Sequence, residues 1–491
     1  MAAAGLAVRS HEVEGRHYAA VRGFVPGEVL LTAPLDVCAA LWPSPLHVSR
    51  PTAAELAILR RNPGVQLVRS NARTEGGGGE VFTLLAAAWL LAIRALLMHG
   101  TPTWARLMSL DDNARLRGAA DAAVVHHFAT QLHAALDDES GPTLGEVARL
   151  LGAILVNVFG TRSTPREPAP DGLALVVAAS LFNHSCEPNA IVDLDGARED
   201  GGGALSGAMS VRALAPIAQG EPVLVAYVDT IEPRYHRRRQ LAKSKNFECA
   251  CARCADPTDG GRFASAVRCR ACARGWQLEQ LWSSAAGDGE WLCAACGART
   301  PERDVRAWDA AMRARLDALL AAPAKSSGAV DDSARAGEAY AQLVADALEW
   351  CHPNHAIVVQ ALVAAVREHA RAAAPAEAAA ADAAPASALA AAERVIRAAE
   401  RALGALERTA PPYDAQKADV LFQIGCARHA LARATRGRVP AATERAALLD
   451  AAAALRGALA QFRVCGGDAC AGSRASHALA GACLRATHAL N

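Results

Sequence analysis

Apolar and polar positions alternate along residues 8–34 around Gly15, Gly23 and Pro26–Gly27. A period of two broken by turn residues predicts a β-hairpin or two short strands. From about Thr52 to Phe159 the pattern changes to the helical period, with runs at Ala53–Arg61, Thr83–His99, Ala114–Leu136 and Leu144–Val158. The Gly76–Gly79 tract predicts a loop within this stretch, and the Pro- and charge-rich residues 161–172 predict another. Strand-like sequence returns at Leu173–Leu181, Ala190–Leu194, Ala208–Ala213 and Pro222–Tyr227, with turns at Gly196, Gly201–Gly203 and Gly220. Two β-rich pieces separated by helix predict one sheet domain with a helical insertion over about 52–160.

From about residue 302 to 491 the chain is helical and Ala-rich, with breaks at Pro323, near Pro353, across Ala372–Ala392 and at Pro411–Pro412. Alanine favours helix, but Ala372–Ala392 offers little side chain to bury and contains Pro375 and Pro385. Helix and loose linker both stay open there. The fold class that results is α+β with an all-α C-terminal part.

Length and composition narrow the picture. At 491 residues the chain is too long for one core, so two to four domains are expected. With 52% hydrophobic and 21% charged residues it reads as a globular protein. The longest apolar run, Val81–Met98, is interrupted by Arg94 and is expected to be a buried helix. A formal net charge of +1 supplies no field that would draw the protein to nucleic acid or to a membrane, and neither partner is expected. Arg237–Arg239 is expected to be a solvated helix face. No signal-peptide pattern opens the sequence, although a short transit peptide over Met1–Ala7 stays open. An intracellular location, nucleus or cytoplasm, is expected.

Fourteen cysteines in a reducing compartment point to metal or free thiols, and seven of them lie between Cys249 and Cys296. Cys269, Cys272, Cys293 and Cys296 have the CxxC–x20–CxxC spacing of a zinc ribbon, whose four thiolates would close a structural site. Cys249, Cys251 and Cys254 supply three more thiolates. A closed zinc site needs four ligands, and the next cysteine, Cys269, belongs to the ribbon. Cys38, Cys351, Cys426, Cys465, Cys470 and Cys483 have no such spacing and read as buried thiols.

Three segments resemble one family. They are Glu14-Gly15-Arg16-His17-Tyr18 leading to Phe24-Val25-Pro26-Gly27-Glu28; Ser180-Leu181-Phe182-Asn183-His184-Ser185-Cys186-Glu187-Pro188-Asn189; and Gly220-Glu221 through Ala226-Tyr227-Val228-Asp229 and Arg237-Arg238-Arg239-Gln240-Leu241 to Phe247-Glu248-Cys249-Ala250-Cys251-Ala252-Arg253-Cys254. In order and spacing these are similar to the SET domain of the SET-and-MYND (SMYD) methyltransferases. The specific likeness covers residues 8–34 and 173–257. It implies a β-rich SET domain over 8–248 with a pseudoknot and the helical insertion, a post-SET and zinc-ribbon module over 249–300, and a TPR-like helical domain over 301–491. The insertion would contribute to substrate choice. The dense Cys/His array of the MYND finger is absent, since no cysteine lies between Cys38 and Cys186.

The resemblance also implies roles. Asn183 and His184 would contact S-adenosylmethionine, as would Arg16, His17 and Tyr18, although the family usually has a second glycine where His17 stands. Asn157 would touch the same cofactor, or else cap its helix. Phe247 would stack on adenine, and Tyr227 would line the lysine channel as the catalytic hydroxyl. Cys186 would complete the zinc site of Cys249, Cys251 and Cys254, giving two Zn2+ ions in all.

The residue chemistry agrees with that implication. Methyl transfer from a sulfonium to an amine needs orientation, desolvation and a neutral nucleophile, and a lysine of pKa about 10.4 is activated by an apolar channel. A tyrosine hydroxyl and backbone carbonyls suffice, and no strong general base is required. The expected activity is that of a monomeric protein-lysine N-methyltransferase acting on a histone or other protein. An enzyme of the Rubisco-methyltransferase type is disfavoured by the CxCxxC segment, which that type lacks. A catalytically silent SET scaffold that binds partners through its helices is the alternative, and Tyr227, Asn183 and His184 together argue against it.

Overall fold

The computed structural model describes residues 5–11, 15–40, 52–61, 79–136, 140–161, 172–199, 205–272, 274–280, 289–321, 330–378, 385–468 and 470–490. Residues 76–78 of the predicted Gly76–Gly79 loop, 162–171 of the predicted 161–172 loop and the turn at Gly201–Gly203 lie outside them, as do residues 379–384 of the Ala-rich stretch and the break at Pro323. Gly79, by contrast, opens a helix, and Thr161 and Gly172 are strand ends. The chain forms two compact units, Met1–Tyr227 with Arg239–Cys249, and Val228–Arg238 with Ala250–Asn491.

The first unit opens with the predicted hairpin, β1 (Leu6–His11) paired antiparallel with β2 (Gly15–Ala20). Gly15 has φ +68°, a left-handed conformation that suits glycine at a strand entry. Next come β3 (Val29–Pro34), β4 (Val37–Ala40), α1 (Ala53–Arg61), α2 (Gly79–Leu96), α3 (Pro102–Leu107), α4 (Ala119–Leu136) and α5 (Leu144–Asn157). The remaining elements are β5 (Phe159–Thr161), β6 (Gly172–Leu175), β7 (Asn183–His184), β8 (Ala190–Glu199), β9 (Leu205–Ala213) and β10 (Leu224–Val225). Local chemistry sets the helix starts: Thr143 and Glu146 form a reciprocal capping box on α5, and Thr101 caps α3 just ahead of Pro102. The helices bury Leu90, Leu91, Ile93, Leu132 and Leu150 in one core. A second core gathers Tyr18, Phe24, Leu30, Phe182, Met209 and Val211 around a three-stranded sheet of order β3-β9-β8.

The sequence predicted one strand over Leu173–Leu181, and the structure divides it. β6 ends at Leu175, and a 3-10 turn follows at Ala179–Leu181, where the N–H groups of Ala179 and Ser180 both donate to the Val176 carbonyl. Val176 and Ala179 are both buried, so the apolar run carries no mark of the bend between them.

α6 (Arg234–Lys245) follows, and it corrects a second expectation. Arg234 and Arg237 have no exposed surface, whereas Arg239 is exposed. Consecutive helical residues point about 100° apart, so an arginine triplet cannot occupy one solvated face. Arg237 and Arg253 both bind the Asp259 carboxylate, at 2.5 and 2.8 Å, and Arg234 Nε donates to Glu279 at 3.0 Å. Burial would raise the Asp259 pKa, but the two guanidinium groups hold it below the usual carboxylate value.

The second unit continues with the short helix α7 (Ala252–Ala255) and a four-stranded antiparallel sheet in chain order: β11 (Val267–Arg268), β12 (Trp276–Glu279), β13 (Glu290–Cys293) and β14 (Arg299–Pro301). Among the described residues seven helices follow: α8 (Glu302–Ala321), α9 (Val330–Leu348), α10 (Ala356–Ala378), α11 (Pro385–Thr409), α12 (Ala415–Thr435), α13 (Ala441–Gly466) and α14 (Ala471–His488). Successive helices pack on one another. Breaks fall near Pro353 and at Pro411–Pro412 as predicted. Pro375, by contrast, lies inside α10, in the final turn, and Pro385 opens α11, a first-turn position that tolerates a missing N–H. Buried Ala361, Ala364, Ala399, Ala402 and Ala405 let these helices approach closely. Gly425 does the same between α12 and α13, since a methyl group there would stand 2.5 Å from Leu455 Cγ. Cys351, Cys465 and Cys483 are buried as expected, while Cys426 and Cys470 are half-buried. Among the described residues no helix is long and apolar enough to cross a membrane.

Candidate active site and cysteine centres

β7 and β10 run parallel, with Asn183 opposite Leu224 and His184 opposite Val225. The residues just before β10 are laced to β2, where Val223 N–H donates to the Tyr18 carbonyl and Ala20 N–H to that of Glu221. Asn189 ties the motif down further: its Oδ1 accepts from Leu224 N–H at 2.8 Å and its Nδ2 donates to the Pro222 carbonyl at 2.9 Å.

Tyr227 leaves this arrangement fixed at both ends. Its N–H donates to His184 Nδ1 at 3.0 Å, and its hydroxyl donates to the Phe182 carbonyl at 2.6 Å. The Tyr227, His184 and Phe247 rings stand within 6.5 Å of one another, centre to centre. Burial pushes the Tyr227 pKa well above its ordinary value, so the phenol is neutral at every physiological pH. Because His184 Nδ1 accepts a backbone hydrogen bond, the proton of the neutral ring is on Nε2. That atom is 3.3 Å from Cys186 Sγ, a geometry suited to N–H···S donation toward a thiolate.

The other residues expected at the cofactor are placed differently. Tyr18 is buried, its ring 4.8 Å from that of Phe182, and burial raises its pKa. His17 is half-buried, its Nδ1 3.4 Å from the Gly15 carbonyl. Arg16 and Asn157 converge on one loop instead, donating to the carbonyls of Ser109 (2.6 Å) and Asp111 (2.7 Å). Asn157 also donates to Ala153 O in the last turn of α5. The geometry therefore gathers Tyr227, His184 and Phe247 at a shared ring cluster. Asn183 adjoins His184, and Arg16 and Asn157 are engaged with backbone.

One residue in this region had no role in the sequence reading. Lys245, the last residue of α6, puts its Nζ 5.5 Å from the Tyr227 ring centre and donates to the Val156 carbonyl at 2.8 Å. Burial brings its pKa down to about 8. Its carbonyl accepts from Asn113 Nδ2 at 2.7 Å, and Asn246 then turns the chain out of the helix at φ +58°. The available signal was position: Lys245 lies two residues before Phe247 in the matched motif.

The cysteines form two groups, Cys186, Cys249, Cys251 and Cys254, and Cys269, Cys272, Cys293 and Cys296, in each of which the sulfurs lie within 4.8 Å of one another. Four sulfurs held about 2.3 Å from a zinc ion form a tetrahedron with edges of about 3.8 Å. Cys269–Cys296 and Cys272–Cys293 are 3.7 and 3.8 Å apart. Gly275 leaves the room, since a methyl group there would stand 2.7 Å from Cys293 Sγ. The Arg274 N–H helps bring the Cys272 thiol down to about 6. Both groups can hold zinc, and the donor set suits that ion.

The chain thus combines a carbonyl-anchored tyrosine and two four-cysteine groups in a mixed helix-and-sheet fold. No family model matches the chain. Part of it is similar to SMYD-family lysine methyltransferases. It is 30% identical over 165 residues to N-lysine methyltransferase SMYD2 of Bos taurus, covering 34% of this chain and 32% of that protein. It is 31% identical over 111 residues to histone-lysine N-methyltransferase Smyd1 of Mus musculus, 22% of each chain, and 34% identical over 83 residues to histone-lysine N-methyltransferase SMYD3 of Mus musculus, 17% of each. The chain spans about a third or less of the length of these relatives.

Proposed function

We propose that this protein is a protein-lysine N-methyltransferase that transfers a methyl group from S-adenosylmethionine to a lysine side chain of a histone or another intracellular protein. The observation that carries the reading is the anchoring of Tyr227. With its proton committed to the Phe182 carbonyl, the hydroxyl oxygen can act only as an acceptor, the role needed to align an amine N–H. The raised pKa removes phenolate chemistry, and methyl transfer does not call for it. The names of the SMYD relatives support the same activity.

In this reading S-adenosylmethionine supplies an electrophilic methyl group. Phe247 and His184 offer ring faces for a flat heterocycle, and Asn183 with His184 would hold it from β7. Arg16, His17, Tyr18 and Asn157 would border the same pocket, the first and last by positioning the loop they bind. Desolvation around Tyr227 would favour the neutral form of an entering amine. The Asn183–Asn189 segment would form the SET pseudoknot within residues 8–248. Residues 249–300 would be the post-SET and ribbon module, with two structural zinc ions, and residues 301–491 a TPR-like array.

Isothermal titration of S-adenosylmethionine into the full chain separates this reading from that of a silent scaffold. Binding together with label transfer to peptide lysines supports the enzyme; saturable binding without transfer to any lysine favours the scaffold.

A further inference from the structure

Lysine is scarce in this chain. The 51 Lys and Arg residues include four lysines, Lys243, Lys245, Lys325 and Lys417. A guanidinium stays protonated even when buried. An amine that can lose its proton is what arginine cannot supply.

One of these four amines lies against the Tyr227 ring and donates to the Val156 carbonyl, and among the described residues no carboxylate stands within ion-pair distance of it. Lys245 is half-buried, and an aromatic wall, a backbone acceptor, shielding from water and the absence of a counter-ion are surroundings that favour a neutral, nucleophilic amine. We propose that Lys245 is itself a methyl acceptor, so that the protein methylates its own chain at this position. The proposal rests on the methyltransferase reading of the Tyr227 site.

In the step, the unshared pair of the deprotonated Nζ attacks the methyl carbon of a sulfonium donor, S-adenosylmethionine. The N–C bond forms as the C–S bond breaks, and that electron pair stays on sulfur as S-adenosylhomocysteine. The positive charge passes to the secondary ammonium, which releases its proton to solvent. The lowered pKa of Lys245, about 8, makes the required neutral amine plentiful at mildly alkaline pH. The Tyr227 phenol against it is kept neutral by burial, and His184 packs on that same ring.

The test uses the full, zinc-loaded chain and S-adenosylmethionine carrying an isotopically labelled methyl group, followed by proteolysis and tandem mass spectrometry of the lysine-containing peptides. The expected result is label on Lys245 in preference to Lys243, at a rate independent of protein concentration, and no label at this position in Lys245→Arg. A second measurement needs no cofactor: reductive methylation with formaldehyde and cyanoborohydride across a pH series should show Lys245 titrating near 8, below Lys243. Label on added protein lysines while Lys245 stays unmodified overturns the proposal and leaves the methyltransferase reading intact. Absence of S-adenosylmethionine binding by calorimetry removes both.

Discussion

Arg237 and Lys245 lie on one helix, about two turns apart, and each takes a cation out of water in a different way. Arg237 is fully buried, is bound by Asp259, and directs Nη2 toward Cys254 Sγ at 3.8 Å. Lys245 meets a carbonyl and a ring. A buried cation matched by a carboxylate keeps its charge and fixes geometry, whereas one matched only by neutral dipoles moves toward losing its proton. The first is a structural device, and the second is poised for nitrogen chemistry.

The largest expected effect breaks the comparison on the arginine side. Cys254 is one of four clustered sulfurs, and structural zinc is worth on the order of 10 kcal/mol in small modules. Cys186→Ser and Cys254→Ser should each lower the zinc content by about one ion and abolish S-adenosylmethionine binding. Elemental analysis showing two ions retained would make either cysteine only a buried thiol. Next in size, Asp259→Ala leaves Arg237 and Arg253 facing one another without their counter-ion and should cost roughly 3–5 kcal/mol, read by urea denaturation.

Tyr227→Phe removes one hydroxyl bonded to a carbonyl. It should cost about 1 kcal/mol of stability while slowing turnover roughly tenfold or more, with cofactor affinity retained. Equal turnover in mutant and wild type would remove the catalytic role of this hydroxyl. Smallest of all, Lys245→Met keeps the unbranched stem as far as Cε and deletes a half-buried amine bonded only to a carbonyl, so stability should change by less than about 1 kcal/mol. A loss as large as that of Asp259→Ala would mean that Lys245 is paired after all.

Local pattern made much of this molecule legible. Ala53–Arg61 is helical over the predicted range, and the helix predicted over Leu144–Val158 starts as predicted and ends one residue sooner, because each has an apolar period or a capping box. The ribbon cysteines cluster as their spacing implies. The burial of Arg237 was not legible, because its partner Asp259 lies in a turn at φ +59° that no periodicity marks. Nor was the carbonyl-rich loop that takes up Arg16 and Asn157, since backbone acceptors leave no trace in side-chain identity. Lys245 was hidden for a related reason: its two contacts come from residues distant in the chain, and a lysine near a helix end reads by default as solvated.

The most direct test of the central claim is a single labelling reaction, in which the full chain is incubated with methyl-labelled S-adenosylmethionine and a lysine-containing protein pool, beside Tyr227→Phe. Label is expected on lysine Nζ atoms, identified by mass spectrometry, and markedly less of it with the mutant. Label confined to other side chains, or none at all from protein that binds the cofactor, would contradict it.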